Sequence, residues 1–427
     1  MELLAMGLGP RPGRHAMIHD GSTLDISSAD YAADPYAHYR RLRELATAHW
    51  IDSGGPDRWI LVTRYDVGRA ILADERFSKR LPDRYVARSS GGGQGRSMLG
   101  SDPPEHTRLR GAVAAAFSAG SIAAHRDRVE EISLRLVNDL TARLDSPAIG
   151  YARLREEYAL PLAFSVLAEV IGIPPGKQAD FHQWTTRMLS PARDEADLAA
   201  LDEAISSIRD YVYSRVRLEA KEAGDEQAGP APVLRTLATD SSDRALSEAE
   251  IVTMVTLLLT AGYEGTANMI LNGVAAFLAS PPQWRLLVDA PTLAEAAVRE
   301  VLRYDCPVQR ATLRVATRDI SVGGVSFAEG TLVGVSLAAA NHDDKQFRRA
   351  EAFDITRPPA AHLAFGHGLH RCLGSSLAAL EGAVAFRHLA RYLPDMRLHP
   401  SAPGIEWCRT GFLRGPVDIV ITRGGTP

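Results

Sequence analysis

Apolar residues recur at three- and four-residue spacing over 105–141, 157–173, 195–221, 247–280 and 291–304, the period of helices with one buried face. Short alternating runs near 58–63, 311–326, 331–336 and 417–422 read as strands. Ser247-Glu248-Ala249-Glu250 has the form of a capping box and opens a long, buried helix. Two glycine- and charge-rich stretches, Arg88 to Arg96 and Lys221 to Pro230, have the composition of loops. No long linker or repeat divides the chain. The pattern predicts a mainly α fold with small β-sheets, arranged as one domain over 28–424 behind a flexible segment, 1–27.

Composition narrows the function. A chain of 427 residues, 45% of them hydrophobic, can bury a large core. Its 48 basic residues face 52 acidic ones, so no basic excess invites nucleic acid. The first ten residues are too short, and too broken by glycine and proline, for a membrane span or a signal peptide's apolar region. Only three cysteines occur, which suits a reducing compartment, and a cytoplasmic protein is expected.

One of those cysteines has unusual surroundings. Phe365-Gly366-His367-Gly368-Leu369-His370-Arg371-Cys372-Leu373-Gly374 presents a thiol at the end of a glycine-opened loop. The residues after it, Ser375 to Glu381, turn helical, so Cys372 sits about where a helix begins, and free N–H groups there favour a thiolate. Gly366 and Gly368 let the backbone lie close to a flat ligand, and Gly374 lets the new helix pack near it. Phe365 can cover the sulfur. A lone cysteine in a turn is often only a buried structural thiol. Cys306 and Cys408 are remote, and no cysteine pair accompanies His367 and His370, which argues against structural zinc. A single axial thiolate on haem iron fits better.

The loop resembles the haem-binding segment of the cytochrome P450 superfamily in its soluble bacterial form, and other segments agree in order from about Asp34 to the C-terminus. The resemblance implies haem b between a long central helix and the cysteine-loop helix, with Cys372 as the iron ligand. A haem brings two carboxylates that need cationic partners when buried. His106 and Arg110, four apart on one helix face, match the family's propionate-binding HxxxR pair. Arg314 matches its strand arginine, and His370 the histidine two before the cysteine.

Glu300-Val301-Leu302-Arg303 resembles the family's ExxR motif. Three-residue spacing alone describes an exposed ion pair worth little, but in the family the pair is buried and pins the helix to the meander before the cysteine loop. Its usual third member, an arginine before a phenylalanine, is replaced here by Ala352. Arg357 and His367 are both candidates for that place.

Ala261-Gly262-Tyr263-Glu264-Gly265-Thr266-Ala267 interrupts a good helix former with two glycines, each costing about 1 kcal/mol against alanine. The family carries Ala-Gly-x-acid-Thr-Thr here, above the iron, where the acid and first threonine supply protons. Glu264 matches the acid and Thr266 the second threonine, while Gly265 stands in place of the first. Three routes remain open: a substrate hydroxyl ordering water, Thr266 reaching in after a bend, or radical coupling that joins carbon centres without oxygen transfer.

By resemblance, substrate contacts fall in Arg84 to Leu99, Met188 to Ser190, Thr260 to Tyr263, Val308 to Ala311 and Trp407 to Phe412, with Leu99, Met188, Tyr263, Val308 and Phe412 as the chosen positions. Arg84, Arg88 and Arg96 could steer an acidic substrate. No flavin or iron–sulfur motif is present, so electrons are expected from a ferredoxin and its reductase, docked on the cysteine side near His367, Arg371, Arg387 and Arg391. The resemblance thus implies a monomeric haem-thiolate monooxygenase that hydroxylates or epoxidises a small lipophilic natural product of the polyketide, peptide or terpenoid class. Oxidative C–C or C–N coupling is the alternative, and a non-catalytic haem ligand-binding protein is a third.

Overall fold

The computed structural model describes residues 18–20, 28–52, 58–81, 97–189, 195–221, 232–242, 245–402, 404–408 and 412–424. Arg84, Arg88 and Arg96, most of the loop at 221–230, Ser190, residues 409–411 and most of 1–27 lie outside them.

The helices are α1 (Ala29–Ala33), α2 (Pro35–Leu45), α3 (Tyr65–Ala73), α4 (Glu105–Ala114), α5 (Ala119–Ala123), α6 (Arg126–Leu144), α7 (Leu160–Ile171), α8 (Pro175–Leu189), α9 (Glu195–Lys221) and α10 (Val233–Thr239). They continue as α11 (Glu248–Gly262), α12 (Glu264–Ala279), α13 (Pro281–Asp289), α14 (Ala294–Tyr304), α15 (Leu337–Asn341) and α16 (Ser375–Tyr392). The strands are β1 (Ile18–Asp20), β2 (Ala48–Asp52), β3 (Arg58–Val62), β4 (Phe77–Ser78), β5 (Ala152–Arg153), β6 (Arg314–Ala316), β7 (Ile320–Val322), β8 (Val325–Phe327), β9 (Leu332–Val335), β10 (Met396–Leu398) and β11 (Val420–Arg423). One sheet runs β1-β2-β3-β9-β6-β4; β10-β11-β5 and β7-β8 form two smaller ones. The mainly α architecture with small sheets is as the periodicity predicts.

Within the segment expected to be flexible, the described residues Ile18–Asp20 form a strand. The segment pairs in parallel with Ala48–Trp50, satisfying backbone groups that an unpaired β2 edge would expose.

At the centre α12, α14 and α16 pack together. A Cβ on Gly273 would stand 2.2 Å from the Phe386 ring, so only glycine permits this crossing. The capping box at Ser247 forms as read: Glu250 N donates to Ser247 Oγ, and Ser247 N donates to the Glu250 carboxylate at 2.9 Å.

The helix expected over 247–280 is broken. It divides into α11 and α12 at Tyr263, whose φ of −109° and ψ of −36° leave the helical path. The Tyr263 ring packs edge-on against Phe164 of α7 at 5.4 Å, and its hydroxyl donates to Thr185 of α8 at 3.3 Å. Burial of that ring, beside two glycines that stabilise a helix poorly, outweighs helix continuity. Among the described residues no single helix is long and apolar enough to cross a membrane.

Candidate active site

The cysteine loop hangs from a chain of backbone contacts. Leu363 N donates to Asn341 Oδ1 at 2.7 Å, Gly366 N to Leu363 O at 2.7 Å, and Cys372 N to Phe365 O at 2.8 Å. Gly366 and Gly368 have φ of +69° and +73°, which favour glycine. At Gly368 a Cβ would also meet Leu72 O at 2.5 Å. That glycine therefore lets the loop pack on the end of α3. Gly374 differs: no atom lies within 4 Å of a Cβ built there, so helix packing does not demand it.

Helix α16 starts at Ser375 with Gly374 as N-cap, so Cys372 precedes the first turn. The Gly374 N–H, Arg371 and Arg110 all favour a thiolate, but burial outweighs them and pushes the thiol up. The Gly374 N–H favours the thiolate, as expected at a helix start, but dehydration outweighs it because it acts on the whole charge and the N–H group supplies only a partial one. By surface area the residue is exposed. Exposure and dehydration together describe a side chain opening on a recess rather than on bulk water.

Around His370 the fold gathers basic side chains from two other segments, α4 and β6. The His106 ring lies 4.3 Å from the His370 ring, centroid to centroid. Arg110, one turn along α4, donates to Arg371 O at 2.7 Å. Arg314 on β6 is 4% exposed, and its Nη1 donates to Thr312 O at a long 3.5 Å. Both ring nitrogens of His106 are buried without a hydrogen-bond partner. Burial first, then repulsion from neighbouring basic groups, lowers His370 to about 3, and burial, opposed by Asp102, lowers Arg314 to about 10. Buried donors without acceptors, beside a buried arginine, describe a site for carboxylates. Haem b fits this donor set, with a thiol for the iron and His106, Arg110, Arg314 and His370 for its two propionates. Phe365, half-buried beside the loop, has the Arg371 guanidinium over its ring at 6.0 Å.

Glu300 and Arg303 are 3% and 2% exposed and form two parallel 2.8 Å contacts, Nε to Oε2 and Nη2 to Oε1. Arg303 also donates to Asn341 O, Ala350 O and Ala352 O. The third member is Arg357, whose Nε reaches Glu300 at 3.1 Å and whose other nitrogens donate to Arg348 O, Arg349 O and Ala352 O. His367 plays no part in these contacts. Asn341 carries the pin onward, since it accepts from Leu363 at the head of the cysteine loop.

On α12, Glu264 is tied down. Arg155, in a short π-helical turn over 155–159, donates through Nη2 to Glu264 at 2.7 Å and through Nη1 to Asn268 Oδ1 at 2.7 Å. Passing a proton through Glu264 requires that contact to open or exchange. Thr266 is buried, whereas a Cβ at Gly265 would meet nothing within 4 Å. The sequence reading missed Arg155 because it sits in Arg153-Leu154-Arg155-Glu156-Glu157, a mixed-charge run with the look of a solvated face.

The expected substrate positions separate. Val308 forms a bridge with Leu413, and Gln309 N donates to Phe412 O, so Val308 and Phe412 adjoin. Met188 is half-buried against the core, and Leu99 is 37% exposed. Tyr263 has no exposed surface, enclosed by α7 and α8, and so offers no face to a substrate in this conformation. On the cysteine side Arg371 and Arg391 are exposed, while Arg387 is paired with Glu130.

A helical fold that mounts one cysteine before a helix and sets buried cations around it defines a haem-thiolate protein. A family model described as Cytochrome P450 matches residues 279–394. Cytochrome P450 monooxygenase PikC of Streptomyces venezuelae is 38% identical over 395 residues, covering 92% of each chain. The 6-deoxyerythronolide B hydroxylase of Saccharopolyspora erythraea is 34% identical over 405 residues, 92% of this chain and 96% of the relative. The solved structure of the P450 monooxygenase TamI bound to tirandamycin C superposes with a TM-score of 0.79 at 31% identity, covering 93% and 99%. The chain belongs to the cytochrome P450 family. It is a monooxygenase with haem b as cofactor, acting on a small molecule with electrons from redox partners.

Proposed function

We propose that this enzyme hydroxylates or epoxidises a lipophilic natural product of the polyketide class in secondary metabolism. What carries the reading is the open space at Gly265, where no side chain replaces the family's threonine hydroxyl, in a chain whose relatives include a 6-deoxyerythronolide B hydroxylase and a monooxygenase solved with tirandamycin C bound. A substrate hydroxyl is then the group that orders water beside Thr266 and Glu264. When bound, the haem supplies the oxygen-activating chemistry. The chain's own residues do the rest: Cys372 ligates iron, with Phe365, Gly366 and Gly374 around it, and His106, Arg110, Arg314 and His370 hold the carboxylates. Leu99, Met188, Val308 and Phe412 contact substrate, and Tyr263 positions α12 from behind.

Ferredoxin with its reductase is the proposed electron donor, docked where Arg371 and Arg391 are exposed. The protein is proposed to work as a cytoplasmic monomer, its residues 28–424 forming one domain; the single buried cluster from Tyr31 to Ile421 supports the latter.

The test screens macrolactones and related polyketides for a shift of the ferric spin state, then turns over the ligands with ferredoxin, reductase and isotopically labelled dioxygen. One labelled oxygen atom per product is expected. A product joining two carbon centres without label overturns the reading in favour of oxidative coupling, which the missing hydroxyl at 265 also suits.

Gly265→Thr tests the proton route. The side chain fits, so haem content is expected to match wild type, while product formed per reductant falls by about tenfold with the true substrate as the new hydroxyl competes for the water. Unchanged coupling would remove the substrate hydroxyl from the mechanism.

A further inference from the structure

Arg310 lies in the segment between α14 and β6 and is half-buried. Val308 and Arg310 form antiparallel bridges to Leu413 and Ser336, while Gln309 between them turns inward, its Nε2 donating to Cys306 O at 2.7 Å. Alternation then sets Arg310 on the face that carries Val308. Its guanidinium lies 4.7 Å from the centre of the Trp59 ring and 5.9 Å from that of Phe412. Nε is buried without a hydrogen-bond partner. Burial lowers the group from the ordinary arginine range, and among the described residues only the Tyr39 and Tyr31 hydroxyls oppose it, with no acid taking part. Those hydroxyls bond to each other, and burial raises both, so they stay neutral and supply no anion.

Arg414 shows how the same region settles a cation that belongs to the fold. It lies 3.7 Å from the centre of the Trp407 ring, and its Nε also donates to Asp305 at 2.9 Å. Ring faces attract a guanidinium but replace little of its hydration, so a dehydrated arginine calls for a carboxylate as well. Arg310 has the rings and lacks the carboxylate.

We propose that the substrate brings that anion: Arg310 determines specificity by receiving a carboxylate of a lipophilic polyketide acid, whose apolar chain lies along Val308 and Phe412. The role rests on those two residues contacting substrate, as proposed above, and narrows the substrate to molecules with a free acid. Trp59 and Phe412 hold the guanidinium from its faces, so little further freedom is lost when its edge meets a carboxylate. A neutral macrolactone leaves the charge unmet and binds less well.

The test titrates ferric holoenzyme with tetradecanoic acid and with tetradecanol at about pH 7.5, where the acid is ionised, and reads the spin-state shift. Wild type, Arg310→Met and Arg310→Lys are compared. Arg310→Met, apolar and of similar length, is expected to bind the acid about tenfold more weakly than wild type while holding the alcohol within about twofold. Arg310→Lys is expected to fall between wild type and Arg310→Met for the acid, because it keeps the charge and loses the planar fork. Unchanged affinity of Arg310→Met for the acid would place the anion site elsewhere. Equal weakening of acid and alcohol would make Arg310 a prop for Trp59 and Phe412. A wild type that answers to the alcohol and not to the acid, or to macrolactones and to neither probe, would show that no carboxylate is received. Each of these results overturns the proposal and leaves the polyketide reading standing, since labelled-dioxygen turnover is scored separately. A wild type that answers to no lipophilic ligand removes both. The reduced, carbon monoxide-bound spectrum of each variant confirms that haem and the Cys372 ligand are retained.

Discussion

Cys372→Ser is expected to fold normally and to lose monooxygenase turnover altogether. The fold tolerates the change because the loop is held by backbone contacts: Cys372 N still donates to Phe365 O, and Gly366 N to Leu363 O. An exposed position with no side-chain packing to lose costs within about 0.5 kcal/mol. Chemistry suffers because a serine oxygen does not replace a thiolate on haem iron. In the polypeptide alone burial holds the thiol protonated. Ionisation therefore accompanies metal binding and releases a proton. The checks are the reduced, carbon monoxide-bound spectrum, which should lose its thiolate character, and thermal unfolding, which should barely move. A variant that keeps the thiolate spectrum would place the iron ligand elsewhere.

Glu300→Ala has the second largest expected effect, on stability. The carboxylate accepts from Arg303 twice, from Arg357 and from Asp354 N at 3.0 Å, so removing it strands two guanidinium groups in the interior. Breaking a buried pair in this way costs about 3–5 kcal/mol, a large part of the 5–15 kcal/mol typical of whole proteins. Haem content should fall as well, because Arg303 and the loop share Asn341. Arg357→Ala should cost less, about 1.5–3 kcal/mol, because Arg303 still neutralises Glu300 and the arginine is nearer the surface. Denaturant midpoints and haem-to-protein ratios measure both. Equal losses would show that Arg357 is as central as Arg303.

How far the chain could be read beforehand varied with the distance over which its parts act. The capping box at Ser247 and Glu250 spans four residues and formed as read. Tyr263 did not follow the helical period, because the ring's contacts with Phe164 and Thr185 lie on other helices and no window of sequence contains them. Arg357 and His367 were indistinguishable in the sequence. The meander's path brings the first to Glu300 and leaves the second outside.

The same division runs through the site. Local order along the chain determined the glycine-opened loop that displays Cys372, the helix after it, the mainly helical architecture and the family, since each is written in adjacent residues or in a repeating period. Tertiary structure alone decided which charges meet. His106 and Arg314 converge on His370, and Arg155 closes on Glu264, across separations that no spacing rule covers. The physical reason is that a charge's role depends on what surrounds it after packing. An arginine in a mixed-charge run has the look of a solvated cation, and packed against α12 Arg155 is the partner of Glu264 and Asn268.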